Sequence, residues 1–129
     1  LVSRPDIVIV EGLNVLQVGP SRGRKTPRLF VSDFFDFTIY VDAPAETIRS
    51  WYLERFNLFR ERARQDPGAY FHRFSTWSDA RASRFAAKVW AETNEQNLLK
   101  NILPYRERAR LILCKGARHA VEEVLLRRI

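Results

Sequence analysis

The segment Asp6-Ile-Val-Ile-Val-Glu11 constrains the chain most, because it sets four consecutive β-branched residues between two carboxylates. Such side chains are stiff at χ1 and sit well on a pleated surface. An apolar run without alternation reads as a strand covered on both faces, the condition of a parallel sheet between helices. The run ends in Glu11-Gly12. In open α/β sheets ligands bind beyond the carboxyl ends of the strands. A carboxylate at Glu11 could there hold a water on magnesium or polarise a nucleophile. A helix-capping or loop carboxylate is the other reading.

The rest of the chain alternates. Phe35-Asp-Phe-Thr-Ile-Tyr-Val41 is a second buried-strand segment, and Asp42-Ala-Pro44 stops it and opens a helix. From Ala45 to Gln65, Ile48, Trp51, Tyr52, Arg55, Phe56, Phe59 and Ala63 recur at steps of three and four, the period of one helix face. Asp66-Pro67-Gly68 ends that helix. Ala69 to Thr76 is an aromatic connector, and Ser78 is placed to cap a second helix. Its inward stripe is Ala82, Phe85, Ala86, Val89, Trp90, Thr93 and Asn97, and Pro104 ends the stretch after Asn101-Ile-Leu. Leu111-Ile-Leu-Cys114 is a third strand segment, while Val121 to Ile129 reads equally as helix or strand. Strands alternating with helices predict an α/β fold with a parallel or mostly parallel sheet and flanking helices.

The 129 residues are about one domain's worth, and 46% hydrophobic content is enough to bury a core. No apolar run approaches the ~20 residues a membrane span needs, and the early residues do not have the form of a signal peptide. A lone cysteine, Cys114, excludes a disulfide framework and a cysteine-based zinc module, which makes a reducing cytoplasm the expected location. The chain has no methionine and starts Leu-Val-Ser-Arg-Pro, so a piece of a longer protein is expected. With 22 Lys and Arg against 15 Asp and Glu, the net charge of +7 admits nucleic acid, a membrane surface or a phosphorylated small molecule as partner. The arginines, however, are spread along the chain and interleaved with Glu54, Glu61, Glu92, Glu95, Glu107, Glu122 and Glu123. That pattern reads as solvated helix faces rather than one basic face.

Several residues carry possible chemistry. Gly19-Pro-Ser-Arg-Gly-Arg-Lys25-Thr26 nearly spells a phosphate-binding loop, but Arg24 replaces the glycine before Lys25, and Pro27 comes next with no helical pattern behind it. The amide cradle and helix N-terminus such a loop needs are missing. Tyr52, Arg55, Phe56 and Phe59 share one helix face. An arginine and a tyrosine among aromatics suggest a pocket wall, and the guanidinium fork suits phosphate. The alternative is an arginine that snorkels to water or pairs with Glu54. Asn94 and Asn97 border the second stripe, where an inward amide must satisfy four hydrogen-bonding sites through a ligand or the helix and loops around it. His72 and His119 have no partner at metal-ligand spacing. His119 comes after a strand and a loop, where its ring is either exposed or stacked on a base.

Taken in order, a set of strings then resembles one family. They are Asp6-Ile-Val-Ile-Val-Glu-Gly-Leu-Asn-Val-Leu-Gln17, Val31-Ser-Asp-Phe-Phe-Asp-Phe-Thr-Ile-Tyr-Val-Asp-Ala43, Trp51-Tyr-Leu-Glu-Arg-Phe56, Asp66-Pro67 and Tyr70-Phe-His72. Asn97-Leu98, Asn101-Ile-Leu-Pro104, Arg106-Glu-Arg-Ala109 and His119-Ala-Val-Glu-Glu-Val124 complete it. The ordered set, which covers nearly the whole chain, resembles the C-terminal part of bacterial type I pantothenate kinase.

The resemblance implies a P-loop kinase fold, with residues 1–129 forming the C-terminal portion of one domain and the Walker A half upstream. It implies ATP-dependent phosphorylation of the 4′-hydroxyl of pantothenate, the first step of coenzyme A synthesis, with Mg2+ as cofactor and coenzyme A competing with ATP as feedback inhibitor. A cytoplasmic homodimer, with no nucleic-acid or membrane partner, is expected. By position, Glu11 matches the acidic residue near magnesium and the phosphates, and Arg55 the arginine reaching the transferring phosphoryl group. Tyr52 and Asn94 match residues hydrogen-bonding pantothenate, and Phe56, Phe59 and Phe71 the aromatics lining its pocket. His119 matches the residue stacking on adenine, and the C-terminal tail runs as a strand. Arg64 stands where the family has a pocket phenylalanine, and Thr93 where a branched aliphatic is usual. Both make the pocket more polar or differently shaped. The loop from Val18 to Arg28 is also unlike the family. Uridine kinase and phosphoribulokinase relatives share the strand ending in Glu-Gly and remain alternatives, as does a non-catalytic basic binding module. The 129 residues alone are expected to be inactive, since no phosphate-cradling amides and no base for the acceptor hydroxyl are among them.

Overall fold

The computed structural model describes residues 3–19 and 29–128. The near phosphate-binding loop and most of the segment from Val18 to Leu29 lie outside the described residues. After a short 3-10 turn at Val31–Phe34 come strand β1 (Ile39–Asp42) and helix α1 (Ala45–Arg62). Helix α2 (Asp79–Val89) comes after a connector that holds a 3-10 turn at Tyr70–Phe74. From α2 the chain stays helical through a π turn at Trp90–Asn94, the short α3 (Glu95–Asn97), a second π turn at Leu98–Ile102 and a 3-10 turn at Leu103–Arg108. Strands β2 (Leu111–Lys115) and β3 (Val121–Leu126) complete the described elements.

The sheet has the order β1-β2-β3 and is mixed, not parallel throughout. β1 pairs parallel with β2, Ile39 opposite Leu111, and β2 pairs antiparallel with β3, Leu111 opposite Leu126. Connection length decides this. The helical run between β1 and β2 is long enough for a crossover, whereas the short link between β2 and β3 permits only a hairpin. The ambiguous tail is thus a strand, because β2 offers it an edge to pair with.

The strand expected at Asp6–Glu11 does not form. Its residues lie in irregular backbone, with Ile7 81% and Ile9 87% exposed. A strand covered on both faces needs neighbours on both sides, and the described residues bring none to it. The second strand is also shorter than expected, starting at Ile39 rather than Phe35. The first helix ends its α-helical part at Arg62 and tightens into a 3-10 turn at Ala63–Gln65, after which Asp66 Oδ1 accepts from the Gly68 backbone N–H at 3.0 Å. Pro104 does not end the helical stretch as expected: it stands in the first turn of a 3-10 segment that runs to Arg108, a position where its missing N–H is tolerated.

Two clusters form the core. Leu16, Tyr40, Ala109 and Ile112 pack on the sheet. Phe56, Phe74, Ala82 and Ala86 join α1, the connector and α2, with Tyr52, Leu53, Phe71 and Trp77 around them. Alanines at 82 and 86 let α2 approach α1 closely, and Ala82 is completely buried. Ser78 caps α2 as its sequence position implied, its hydroxyl accepting from the Arg81 backbone N–H at 3.3 Å.

One arginine departs from the solvated-face expectation. Arg60 is 2% exposed and lies between α1 and the start of α2. Its Nη1 donates to the Trp77 carbonyl at 2.9 Å, and its Nη2 pairs with the Asp79 carboxylate. The Arg60 guanidinium holds the Asp79 carboxyl below its ordinary value of 3.8, first by hydrogen bond and then by charge. A lowered folded pKa means that the pair stabilises the fold fully above pH 3.8 and loses that contribution as pH falls through the lower folded value. Thermal unfolding of the parent and of Asp79→Asn against pH checks this. The parent should melt higher at neutral pH, and the gap should close on acidification below 3.8.

Candidate functional site

Helix α1 carries most of the residues of interest, and its faces separate them. Phe56 is 5% exposed and packs on Phe71 and Phe74, with ring centroids 5.5 and 5.4 Å away. Phe59, 39% exposed, meets Phe71 edge-on at 5.4 Å. Phe59 and Phe71 line an open cavity of about 200 Å³ together with Arg62, Ala63, Asp66 and Ala69. The three expected pocket aromatics therefore meet, but Phe56 is the core beneath the wall and Phe59 and Phe71 are its surface. Arg64, one turn beyond Arg60, is exposed and pairs with Glu61 at 3.0 Å, leaving the aromatic wall open.

Tyr52 is half-buried, its ring 5.6 Å from that of Trp90. Trp90 opens the π turn that Asn94 closes. A π turn shifts the side chains beyond it relative to α-helical spacing and recurs at functional sites. Asn94 is half-buried and has no side-chain hydrogen bond among the described residues, and the buried Nε1 of Trp90 likewise lacks an acceptor there. Asn97 differs. Its Oδ1 accepts from Asn101 Nδ2 at 2.9 Å, and Asn101 in turn accepts from Gln17 at 3.4 Å. Asn97 is thus bonded within the helical run, while the Asn94 amide makes no such bond among the described residues. Thr93 is exposed.

Arg55 is exposed, and among the described residues no carboxylate lies within ion-pair distance of it. Glu54 accepts instead from the Ser50 hydroxyl at 2.9 Å. Glu11 is exposed in the irregular segment, and the structure brings it to none of the other candidates. His72 has a structural place, its Nδ1 2.8 Å from the Ala63 carbonyl.

His119 sits in the hairpin between β2 and β3. The Gly116 N–H donates to Ala120 at 3.0 Å and the His119 N–H to Gly116 at 3.0 Å, which leaves a loop of Ala117, Arg118 and His119. Loops of this length place their last residue in the left-handed region, where glycine is the default. His119 takes that position with φ 63°. Its imidazole stacks on the indole of Trp51 at 4.1 Å, with 22° between the planes. Trp51 Nε1 donates to the Ala117 carbonyl at 2.9 Å, so α1 is tied to the hairpin through one side chain. Neither Trp51 nor Arg60 was separable from its neighbours by residue type. Trp51 was one stripe position among several, and Arg60 fell between the stripe positions Phe56 and Ala63.

The described elements make an α/β segment in which one helix carries part of an aromatic wall, an exposed arginine and the tryptophan on which the hairpin histidine stacks. No protein-family profile matches the chain. Curated relatives do. The chain is 56% identical over 130 residues to the pantothenate kinase of Bacillus velezensis and 55% identical over 130 residues to that of Bacillus subtilis. It is 50% identical over 128 residues to that of Vibrio cholerae. These matches cover 99% or more of this chain but 41% of each relative. Along its whole length the chain is homologous to the C-terminal part of the bacterial pantothenate kinases.

The split between core and wall is testable. Phe56→Ala should cost about 3–5 kcal/mol of stability, the range for a buried Phe-to-Ala cavity. Phe59→Ala, on the half-open wall, should cost less than about 1.5 kcal/mol. Chemical denaturation of the two variants measures both.

Proposed function

We propose that the protein containing this chain is a P-loop kinase that transfers the γ-phosphoryl group of ATP to the 4′-hydroxyl of pantothenate, opening coenzyme A synthesis. The observation that carries this reading is identity of 50–56% along the entire chain to enzymes named pantothenate kinase. The open polar groups of α1 and the π turn support it. The relatives extend well beyond the match, and the phosphate-cradling loop and the base for the acceptor hydroxyl are assigned to that part. Residues 1–129 are then the C-terminal portion of one kinase domain, inactive by themselves.

In this reading Phe59 and Phe71 exclude water from one side of the acceptor, and Phe56 holds them in place. Tyr52 and Asn94 orient the acceptor by hydrogen bonds, which suits an amide with no side-chain hydrogen bond among the described residues. Arg55 reaches the transferring phosphoryl group. Catalysis of phosphoryl transfer is mostly positioning and charge neutralisation, so an unpaired guanidinium is the group required. His119 stacks on the adenine. Coenzyme A, which carries the same base, would compete for that face.

Magnesium is expected with ATP. Among the described residues no three His, Cys, Asp or Glu side chains converge on a metal. Magnesium is usually held by one or two carboxylates together with substrate phosphates, so the exposed Glu11 fits the part of a single carboxylate ligand beside ATP. When bound, the ion neutralises phosphate charge. A cytoplasmic homodimer completes the proposal. Among the described residues no helix is long and apolar enough to cross a membrane. Ion pairs such as Arg106–Asp42 and Arg64–Glu61 occupy part of the basic charge, which favours this reading over a nucleic-acid binder.

ADP formation by the full-length protein with pantothenate, uridine or ribulose 5-phosphate is the test. Turnover should require pantothenate, and preference for another acceptor would overturn the substrate assignment. Arg55→Ala should lower kcat by about 10²–10³-fold, the usual loss for a group that stabilises developing charge.

A further inference from the structure

The hairpin corner at His119 is strained, and something must hold it. A non-glycine residue in the left-handed region is uncommon, and strain of this kind persists where the surroundings over-determine it. Here the surroundings are Trp51. Its indole covers one face of the imidazole at 4.1 Å, and its Nε1 bonds Ala117 two residues earlier in the same loop. Lys115 adds a cation 5.4 Å from the indole centroid. Loop backbone and ring are thus both fixed from α1. His119 remains exposed, so its open surface is the face turned away from the indole.

We propose that Trp51 is a positioning residue for nucleotide binding: it backs His119 so that indole, imidazole and purine stack as three layers. The proposal rests on the reading that His119 meets the base. The residue next to Tyr52 on α1 then serves the nucleotide while Tyr52 serves the acceptor. Two adjacent positions of one helix then set the spacing between the two substrates. A ring held flat by a stacking partner and a hydrogen-bonded loop loses little freedom when a base lands on it, and such preorganisation raises affinity.

Calorimetric titration of the full-length protein with a non-hydrolysable ATP analogue tests this directly. Trp51→Ala should weaken nucleotide binding about 3–10-fold, the size of one aromatic stacking contact. In a His119→Ala background the same change should cost no more than about twofold, because the two side chains act as a unit. The KM for pantothenate should stay within about twofold of the parent, since Trp51 touches the hairpin and not the acceptor wall. Trp51→Phe, which keeps a ring but loses the bond to Ala117, should show a smaller loss with the same dependence on His119, and it serves if the alanine variant does not fold. His119→Gly should raise the melting temperature by relieving the corner while weakening the nucleotide. An unchanged affinity in Trp51→Ala, or a loss equally large without His119, overturns the proposal. Pantothenate turnover, measured separately, judges the acceptor assignment: a protein that binds the analogue but leaves pantothenate unphosphorylated overturns that assignment, while the affinities still decide Trp51. A parent protein that does not bind the analogue overturns both.

Discussion

The placement of the aromatic wall depends on a buried guanidinium. Arg60 is the charged side chain buried among the described residues, and it reaches from α1 to the Trp77 carbonyl and the Asp79 carboxylate. An arginine taken out of water must keep its partners, because an unpaired buried charge costs several kcal/mol. The pair therefore holds the far end of residues 63–78 against α1. Phe71 and Phe74 lie within that span and have their positions set by it. His72 reinforces the same span through the Ala63 carbonyl.

Helix α1 has three neighbours on different sides. Phe56 and Arg60 face the connector and α2, Tyr52 faces the π turn through Trp90, and Trp51 faces the hairpin. The sheet cluster of Leu16, Tyr40, Ala109 and Ile112 is separate from the helical cluster. Arg106 joins the ends of two elements on the sheet side, its Nε 2.7 Å from Asp42 at the carboxyl end of β1. Chemistry proposed for this chain therefore sits where rigid elements meet, with Arg55 and Asn94 at their edges and without side-chain partners among the described residues. Groups meant for a ligand must be left unsatisfied by the protein, and the core around them has to tolerate that.

Helix α1 was legible because its apolar residues repeat at three and four over more than four turns. The Ser78 cap and β2 were legible from local chemistry, whereas Pro104 opens a 3-10 turn instead of ending the helical stretch. The run Ile7–Val10 has the composition of a buried strand, yet it forms none, since a strand is completed by neighbours and not by composition. Extension of the second helix through two π turns left no mark in the stripe beyond Asn94 and Asn97 themselves. The candidate site divided in the same way. Its residues were named by resemblance, but that Asn97 is bonded within the helical run and Asn94 is not depends on where Asn101 stands.

Sequence alone determined helix α1, strand β2, the cap at Ser78 and the relatives the chain resembles, because these rest on short-range sterics, periodicity and residue order. Tertiary structure decided the mixed sheet, the burial of Arg60 among several similar arginines, and the pairing of His119 with Trp51. Those outcomes rest on contacts between residues far apart in the chain. Whether a given arginine is solvated or buried, and whether a strained histidine is supported, is set by what packs against it rather than by its own chemistry.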